Sequence, residues 1–207
     1  MHEETNRLYE RLLREFGDSP HAVNWKNREA QYIRFQQLVK IIQTQQFSIN
    51  DLGCGLGDLV SYLDESGMNF TYHGYDIAPG MIESAKRKFI KRGSDIAFEL
   101  IDDPSEMKVA DYTIESGIFN RRFGESDESW LAYILKTLGV MYDKSAVGFA
   151  FNALTKYSDK ELMRSDLYYA DPCFLFDYCK VNFTKNVALL HDYNLYDFTI
   201  LVKKSSI

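Results

Sequence analysis

The chain has 207 residues, of which 45% are hydrophobic and 26% charged, as is usual for a folded globular domain. Its formal net charge of −6 argues against nucleic acid as a partner, because nucleic-acid binding normally needs a basic surface. The sequence holds no 18-residue apolar segment, so we expect no membrane span.

The cysteines and the first residues predict a cytoplasmic protein. Cys54, Cys173 and Cys179 are odd in number and show no CxxC spacing, which argues against both a disulfide framework and a zinc site. The opening Met-His-Glu-Glu is not followed by the apolar run of a secretory signal. We therefore expect reduced thiols, no metal site and a cytoplasmic location.

Two helices are predicted before the first strand. Within residues 5–16, four apolar residues have helical spacing, namely Leu8, Leu12, Leu13 and Phe16. A second helix is indicated by apolar residues at i, i+3, i+4 and i+7, which are Phe35, Leu38, Val39 and Ile42. We interpret residues 1–46 as a helical cover that precedes a sheet.

From residue 47 onward, predicted strands and helices alternate. The predicted strands are 47–52, 70–75, 96–101, 112–115 and 145–151, and the predicted helices between them are 58–65, 79–91 and 127–142. Such alternation favours right-handed crossovers and a parallel sheet that is covered by helices on both faces. The fold class predicted from this pattern is α/β, with a doubly wound sheet.

The last third of the chain departs from this rhythm. A capping box at Ser158-Asp159-Lys160-Glu161 predicts a short helix, and Asp171-Pro172 opens another that runs to about residue 181. Two further strands, 187–191 and 196–203, are joined so closely that only an antiparallel hairpin is allowed.

A glycine-rich turn after the first strand is the strongest local signal. Gly53, Gly55 and Gly57 alternate with other residues, so the backbone can curl tightly and approach a ligand closely. The dinucleotide fingerprint would place a further glycine where Asp58 stands, which argues against a nicotinamide or flavin cofactor. The next strand ends at Asp76, at the distance from the turn where an acidic residue meets ribose hydroxyls.

These segments together resemble class I S-adenosylmethionine-dependent methyltransferases. Residues 51–57, Asp-Leu-Gly-Cys-Gly-Leu-Gly, resemble the first motif of that family, and Tyr75-Asp76-Ile77-Ala78 with Met81 resembles the second. Residues 110–120, Ala-Asp-Tyr-Thr-Ile-Glu-Ser-Gly-Ile-Phe-Asn, occupy the place of the fourth.

The resemblance covers about residues 47–203 and implies a Rossmann-like methyltransferase fold. In that fold, seven strands form one sheet, with six strands parallel and the last antiparallel. We therefore expect a single methyltransferase domain over residues 1–207, with a helical insert at about 156–183 before the C-terminal hairpin.

The resemblance also implies which residues bind S-adenosylmethionine. Asp76 would hold both ribose hydroxyls, Ile77 and Met81 would sandwich the adenine, and Asp102 would accept from its amino group. The methionine part of the cofactor would lie against the turn and the residues around it, for which we name Asp51, Gly53, Cys54 and Gly55.

Three further residues complete the expected cofactor site. Ser116, at the end of the fourth strand, would lie beside the transferring methyl group. Arg34, on the helix before the first strand, is the candidate cation for the cofactor's carboxylate. Trp25 is expected to close over the site.

Catalysis of methyl transfer needs in-line placement of the acceptor and removal of its proton where it carries one, but no metal. In the family's fold, the end of the sixth strand would bring His191 to the active-site edge, where its neutral imidazole could take a proton near pH 7. Glu115, by the methyl group, and Tyr169, in a segment expected to line the acceptor pocket, are the other catalytic candidates.

Two segments are expected to form the acceptor pocket. Residues 119–124 follow the fourth strand and residues 167–171 precede the helix of the insert, and both mix aromatic with polar side chains. Arg121 and Arg122, in the first of these segments, remain open as substrate contacts. Either segment could instead serve packing.

The function predicted is methyl transfer to an oxygen or nitrogen of a small molecule, such as a sugar or another metabolite. The acidic charge and the lack of an appended recognition domain favour this class over RNA. One alternative is a methyltransferase for RNA or protein, although no Asn-Pro-Pro-Tyr-like motif follows the fourth strand. The other is a non-catalytic regulatory protein that binds the cofactor. The sequence also leaves the oligomeric state open, and a homodimer is one possibility.

Overall fold

The structure, a computed structural model, describes residues 2–17 and 27–205, and the side chains of residues 6–17 and 27–205. The helices are α1 (His2–Phe16), α2 (Arg28–Leu38), α3 (Asp58–Glu65), α4 (Pro79–Lys88), α5 (Asp127–Asp143) and α6 (Pro172–Asn182). The strands are β1 (Gln46–Leu52), β2 (Asn69–Asp76), β3 (Ile96–Leu100), β4 (Ala110–Ser116), β5 (Ser145–Leu154), β6 (Asn186–Leu190) and β7 (Asp197–Lys203). Within these ranges, no helix combines the length and apolar character that crossing a membrane requires.

All seven strands form one sheet in the order β3-β2-β1-β4-β5-β7-β6. Strands β1 to β5 pair in parallel, whereas β7 lies antiparallel to both β5 and β6. The predicted arrangement of six parallel strands and an antiparallel last strand is therefore confirmed. The chain leaves β1 toward β2 on one side, and β4 lies on the other side, so the order reverses at this point. Open α/β sheets bind ligands in the crevice at such a reversal, outside the carboxyl ends of the strands.

The two faces of the sheet carry two separate apolar clusters, because successive side chains on a strand point to opposite faces. On β4, Tyr112 and Ile114 belong to the cluster that packs against α2, α3 and α4. On β5, Phe149 and Phe151 belong to the cluster that packs against α5 and α6. The near-continuous apolar character of the central strands is explained by burial on both faces.

The first helix lies against the fourth. Tyr9 and Leu13 of α1 pack against Leu56, Ala78 and Met81, which lie in the glycine turn region and at the start of α4. The helix therefore lies over the glycine turn and the start of α4. The second helix, α2, packs on one face of the sheet, mainly against β7 and β5.

Three element boundaries differ from the predictions for local reasons. Helix α4 ends at Lys88, before the predicted residue 91, and the Phe89 ring stacks on Phe98 with centroids 5.8 Å apart. Strand β5 extends to Leu154, beyond the predicted residue 151, because it pairs with β7 from Gly148 to Leu154. The predicted capping box at Ser158 is wrong, since its hydroxyl donates to the carbonyl oxygen of Thr155 and only a three-residue 3-10 helix follows.

The close approach of β5 and β7 gives a stability prediction. A Cβ added at Gly148 on β5 would lie 2.5 Å from the carbonyl oxygen of Val202, which is backbone and cannot rotate away. We expect Gly148→Ala to lower the free energy of unfolding by about 1–3 kcal/mol, as overpacking usually does. Urea unfolding monitored by circular dichroism measures this change.

A matched substitution in the same fold provides the control. Gly139 lies inside α5, and a Cβ added there meets nothing within 4 Å. Gly139→Ala should therefore raise the free energy of unfolding by about 0.5–1 kcal/mol through helix propensity alone. Equal effects of the two substitutions would contradict the packing argument.

Candidate active site

The glycine turn after β1 is held by the end of β2. The backbone N–H groups of Gly53 and Cys54 both donate to the carbonyl oxygen of Tyr75, at 2.8 and 3.0 Å. Gly55 donates to the Asp76 carboxylate at 2.9 Å. The backbone of Gly53 is left-handed, with φ of 77°, and a Cβ there would lie 2.2 Å from the Ile118 side chain. A residue with a side chain would therefore be both strained and obstructed at this position.

Asp76 connects this turn to the start of α4. One carboxylate oxygen accepts from the Gly55 N–H and the other from the Ala78 N–H, each at 2.9 Å. Burial raises the pKa of the Asp76 carboxyl, although these backbone donors act in the opposite direction. Each carboxylate oxygen has a second lone pair, so the side chain can still accept hydrogen bonds from a ligand.

A cavity of about 370 Å³ opens at the carboxyl ends of β1, β2 and β4. It brings together all the predicted cofactor-binding residues that the structure describes: Arg34, Asp51, Gly53, Cys54, Gly55, Asp76, Ile77, Met81, Asp102 and Ser116. Trp25 lies outside the described residues.

Asp51, the penultimate residue of β1, is a strongly perturbed acid on the cavity wall. Its side chain is buried and accepts a hydrogen bond of 2.7 Å from the Tyr72 hydroxyl. Burial raises the pKa of the Asp51 carboxyl to about 7. The Tyr72 hydrogen bond lowers this pKa, and the nearby charges of Asp76 and Asp58 raise it further.

Arg34 lies on the cavity wall, and its guanidinium also joins α2 to the start of β7. It donates to the Asp197 carboxylate at 2.5 Å and to the carbonyl oxygen of Ala30 at 2.8 Å. Asp197 is fully buried, so this ion pair is poorly screened by water. The sequence offered no signal for the pairing, because Asp197 sits 163 residues away in a strand of a different motif.

The three predicted catalytic residues do not line the cavity. The Glu115 side chain is fully buried, and its carboxylate accepts from the Ile118 N–H at 2.6 Å. Burial raises the pKa of this carboxyl well above its usual range, even though the N–H groups that follow it lower the value. Tyr169 has its hydroxyl occupied by the Arg164 N–H at 3.0 Å, outside the cavity wall.

The expectation that His191 lies at the active-site edge is corrected by the strand order. His191 follows β6, which is the outermost strand beyond β7, whereas the cavity lies around β1 and β4. The imidazole is exposed and has Tyr157 and Phe198 as its ring neighbours, with centroids 6.3 and 6.2 Å away. The predicted parallel direction of the sixth strand is confirmed. However, β5 and β7 lie between this strand and β4, so its end is separated from the cavity.

The two segments expected to form the acceptor pocket contribute in part. Asn120, Arg121 and Phe123 of the first segment line the cavity, but only Leu167 of the second does. The segments are joined to each other, since the Tyr168 N–H donates to the carbonyl oxygen of Asn120 at 2.8 Å.

Other lining residues were missed at the sequence level, namely Tyr9, Gln31, Trp130, Tyr133 and Arg164. Tyr9 comes from α1, and burial raises the pKa of its hydroxyl to about 12, with the charge of Asp76 adding to the effect and that of Arg121 opposing it. Tyr9 thus lies close enough to Asp76 and Arg121 for both charges to act on its hydroxyl. Tyr9, Gln31, Trp130 and Tyr133 lie on helices and could not be told from ordinary helix residues by their sequence pattern. Arg164 lies in a loop and had no sequence signal.

The fold and the cavity together define a nucleotide-type cofactor site in a doubly wound sheet, and comparisons with known proteins identify its class. A family model described as a methyltransferase domain matches residues 49–136. The curated protein "Putative methyltransferase Rv1506c" of Mycobacterium tuberculosis H37Rv is 51% identical over 162 residues, which are 77% of this chain and 95% of that protein. The chain belongs to the class I S-adenosylmethionine-dependent methyltransferases.

Solved structures of such enzymes share the fold. The magnesium protoporphyrin IX methyltransferase of Synechocystis PCC 6803 with bound S-adenosylmethionine superposes with a TM-score of 0.65 at 15% identity, covering 99% of this chain and 97% of that one. An S-adenosylmethionine-dependent methyltransferase from Clostridium acetobutylicum superposes with a TM-score of 0.57 at 14% identity, covering 99% of each chain. The protein is therefore a methyltransferase with S-adenosylmethionine as its cofactor.

The raised pKa of Asp51 predicts a pH-dependent stability that Asp51→Asn removes. Between about pH 4 and pH 7 the folded protein holds a proton on Asp51 that the unfolded chain has lost. Stability contributed by this group therefore falls as the pH rises through that window, by at most about 1.4 kcal/mol per pH unit. Urea unfolding of the cofactor-free protein at several pH values measures the effect.

The comparison is the difference in the free energy of unfolding between the unmodified protein and Asp51→Asn. This difference should shift in favour of the variant as the pH rises from about 4 to 7, and level off above that range. Asparagine still accepts from Tyr72, so the hydrogen bond is kept. A difference that is independent of pH, or that shifts the other way, would contradict the assignment.

Proposed function

We propose that the protein transfers a methyl group to an oxygen or nitrogen atom of a small molecule, such as a sugar or another metabolite. The observation that carries this proposal is a single cavity that holds both the acidic, glycine-lined end and an end built of aromatic, aliphatic and arginine side chains. Its volume of about 370 Å³ is in the range of small-molecule sites.

The cofactor residues are proposed to act as follows. Asp76 holds the ribose hydroxyls, Ile77 and Met81 enclose the adenine, and Asp102 accepts from its amino group. Carboxylates are suited to these positions, because hydroxyl and amino groups are donors and the strand ends supply acceptors. S-adenosylmethionine, when bound, supplies an electrophilic methyl carbon on sulfur.

The methionine end of the cofactor is proposed to lie between the glycine turn and α2. Gly53, Cys54 and Gly55 line the cavity with their backbone, and Asp51, two residues before Gly53, lies beside them. Arg34 would bind the cofactor's carboxylate while remaining paired with Asp197, since a guanidinium carries five donors. Ser116, which lines the cavity and whose hydroxyl accepts from Asn152 at 3.0 Å, would lie beside the methyl group.

Catalysis is proposed to depend mainly on positioning. The cavity wall orients the acceptor and shields it from water, which is the larger part of the barrier reduction when reacting atoms are held in line. Glu115, His191 and Tyr169 are not proposed as the base, because none of them reaches the cavity. Glu115 is proposed to have a structural role, in which its carboxylate fixes the turn after β4.

The setting of the enzyme is proposed as well. We infer one methyltransferase domain over residues 1–207 that works in the cytoplasm on a freely diffusing acceptor, and neither nucleic acid nor membrane is proposed as a partner. The net charge of −6 supports this choice. A homodimer is compatible with the proposal but is not required by it.

The cofactor role of Asp76 predicts a binding defect. Asp76→Asn should weaken binding of S-adenosylhomocysteine by about 10- to 100-fold, because hydrogen bonds to a charged acceptor are worth about 1.5–3 kcal/mol. Isothermal titration calorimetry measures the dissociation constant. Asp64→Asn removes one carboxylate from the exposed face of α3, where it pairs with Arg92 at 2.7 Å, and should leave the affinity unchanged. Unchanged affinity in Asp76→Asn would contradict the assignment.

The structural role of Glu115 predicts retained turnover. A methyl-transfer screen with labelled cofactor, across metabolites and RNA, first identifies an acceptor; label appearing only in RNA would contradict the small-molecule proposal. With that acceptor, Glu115→Gln and His191→Gln should keep kcat within about threefold, whereas loss of a general base costs about 10²–10⁴. A loss of that size in either variant would reinstate the residue as catalytic.

A further inference from the structure

Two arginines meet one carboxylate at the acceptor end of the cavity. Arg121, in the loop after β4, lies 2.9 Å from the Asp166 carboxylate. Arg164, in the insert before α6, donates to both oxygens of the same carboxylate, at 2.9 and 2.7 Å. Both arginines line the cavity, whereas Asp166 does not. The carboxylate thus contacts both guanidinium groups from outside the cavity lining and neutralises part of their charge.

The charges at this end do not cancel. Burial raises the pKa of Asp166, but the hydrogen bond from Arg164 and the charges of Arg121 and Arg164 outweigh it, so the net shift is downward. Asp166 therefore stays ionised at neutral pH, and two positive charges face one negative charge. The acids that line the cavity belong to the other end, at or near the ends of β1, β2 and β3: Asp51, Asp58, Asp76 and Asp102.

The surroundings of Arg121 favour a ligand with a charge of opposite sign, whereas Arg164 reaches the same carboxylate from a more exposed position, with 57% of its side chain accessible. The Arg121 side chain is only 20% exposed, and its Nε is buried with no hydrogen-bond partner among the described residues. Phe123, Leu154 and Leu167 form the neighbouring cavity wall. Apolar walls weaken the screening by water, so a charge-assisted hydrogen bond made by Arg121 is stronger than one at an open surface.

We propose that Arg121 and Arg164 form an anion subsite, and that the methyl acceptor carries a carboxylate or phosphate group that binds there. This proposal rests on the proposed function, and it narrows the acceptor from any small molecule to an anionic one. Guanidinium groups bind both kinds of anion in a planar, bidentate manner. The anion would take the hydrogen-bonding positions of the two guanidiniums that Asp166 leaves open.

Ligand-observed NMR titrations test the subsite on the protein saturated with S-adenosylhomocysteine. The probes are benzoate, phenyl phosphate and the neutral isostere benzamide, whose ring suits the aromatic part of the wall. At least one anion should bind about tenfold more tightly than benzamide, and the stronger of the two identifies carboxylate or phosphate as the preferred group. Arg121→Gln and Arg164→Gln should each remove this preference.

Matched controls separate the subsite from general charge and folding effects. Lys156→Gln removes one positive charge from the same insert, where Lys156 pairs with Asp171 at 2.7 Å away from the cavity wall, and should keep the anion preference. In the unmodified protein the Asp166 carboxylate competes with an anionic ligand for the two arginines. The Asp166→Asn variant lacks that charge, so it should bind the anionic probes more tightly than the unmodified protein. This variant keeps the test valid if an arginine variant does not fold.

The results that would overturn the subsite are distinct from those that concern the cofactor. Equal affinity for benzoate, phenyl phosphate and benzamide would overturn it, as would weaker anion binding by Asp166→Asn or an equal loss in Lys156→Gln. The affinity for S-adenosylhomocysteine is measured alongside and should be the same in all variants. If the unmodified protein failed to bind S-adenosylhomocysteine, the proposed function would fail, whereas an anion preference seen without it would still support the subsite.

Discussion

The site depends on the bonds between the glycine turn and the end of β2. Three consecutive N–H groups, those of Gly53, Cys54 and Gly55, are all satisfied by the last two residues of β2, through the Tyr75 carbonyl oxygen and the Asp76 carboxylate. A tight turn leaves its donors exposed unless something accepts from them, and buried donors without acceptors are costly. The acid proposed to bind the ribose is therefore fixed in place before any ligand arrives.

This arrangement sorts the charges along the cavity. The ends of the first three strands supply acids, and the loop after β4 together with the insert supplies arginines. The two groups come from opposite sides of the sheet's reversal point, so acids and these arginines approach the proposed place of methyl transfer from different sides. The cofactor carries a positive sulfonium, which suits the acidic end, and an acceptor held by arginines would meet it from the other side.

The sequence predicted those parts of the structure that depend on local order along the chain. The turn and Asp76 follow one another within one strand–turn–helix unit and its neighbour, so spacing locates them, and the resemblance to the family adds Met81. Glu115 shows the limit of this reasoning, because a shift of one residue on a strand reverses the face: Glu115 points into the α5 side, whereas its neighbour Ser116 lines the cavity. The position of His191 was mispredicted for a topological reason. The sequence indicates the direction of β6, but not that β5 and β7 separate it from β4. The Arg121–Asp166–Arg164 cluster required knowledge of how two loops meet.

The ion pair between Arg34 and Asp197 has a consequence for the order in which the protein is built. Strand β7 is the last strand along the chain, yet it lies inside the sheet, between β5 and β6. Asp197 is synthesised 163 residues after Arg34, so the ion pair between them can form only once β7 has entered the sheet. Contacts of such long sequence separation form late and slowly. A nascent chain lacking β7 would hold the glycine turn and Asp76 but not the ion pair that fixes Arg34, so the proposed site for the cofactor's carboxylate would be incomplete until β7 enters the sheet.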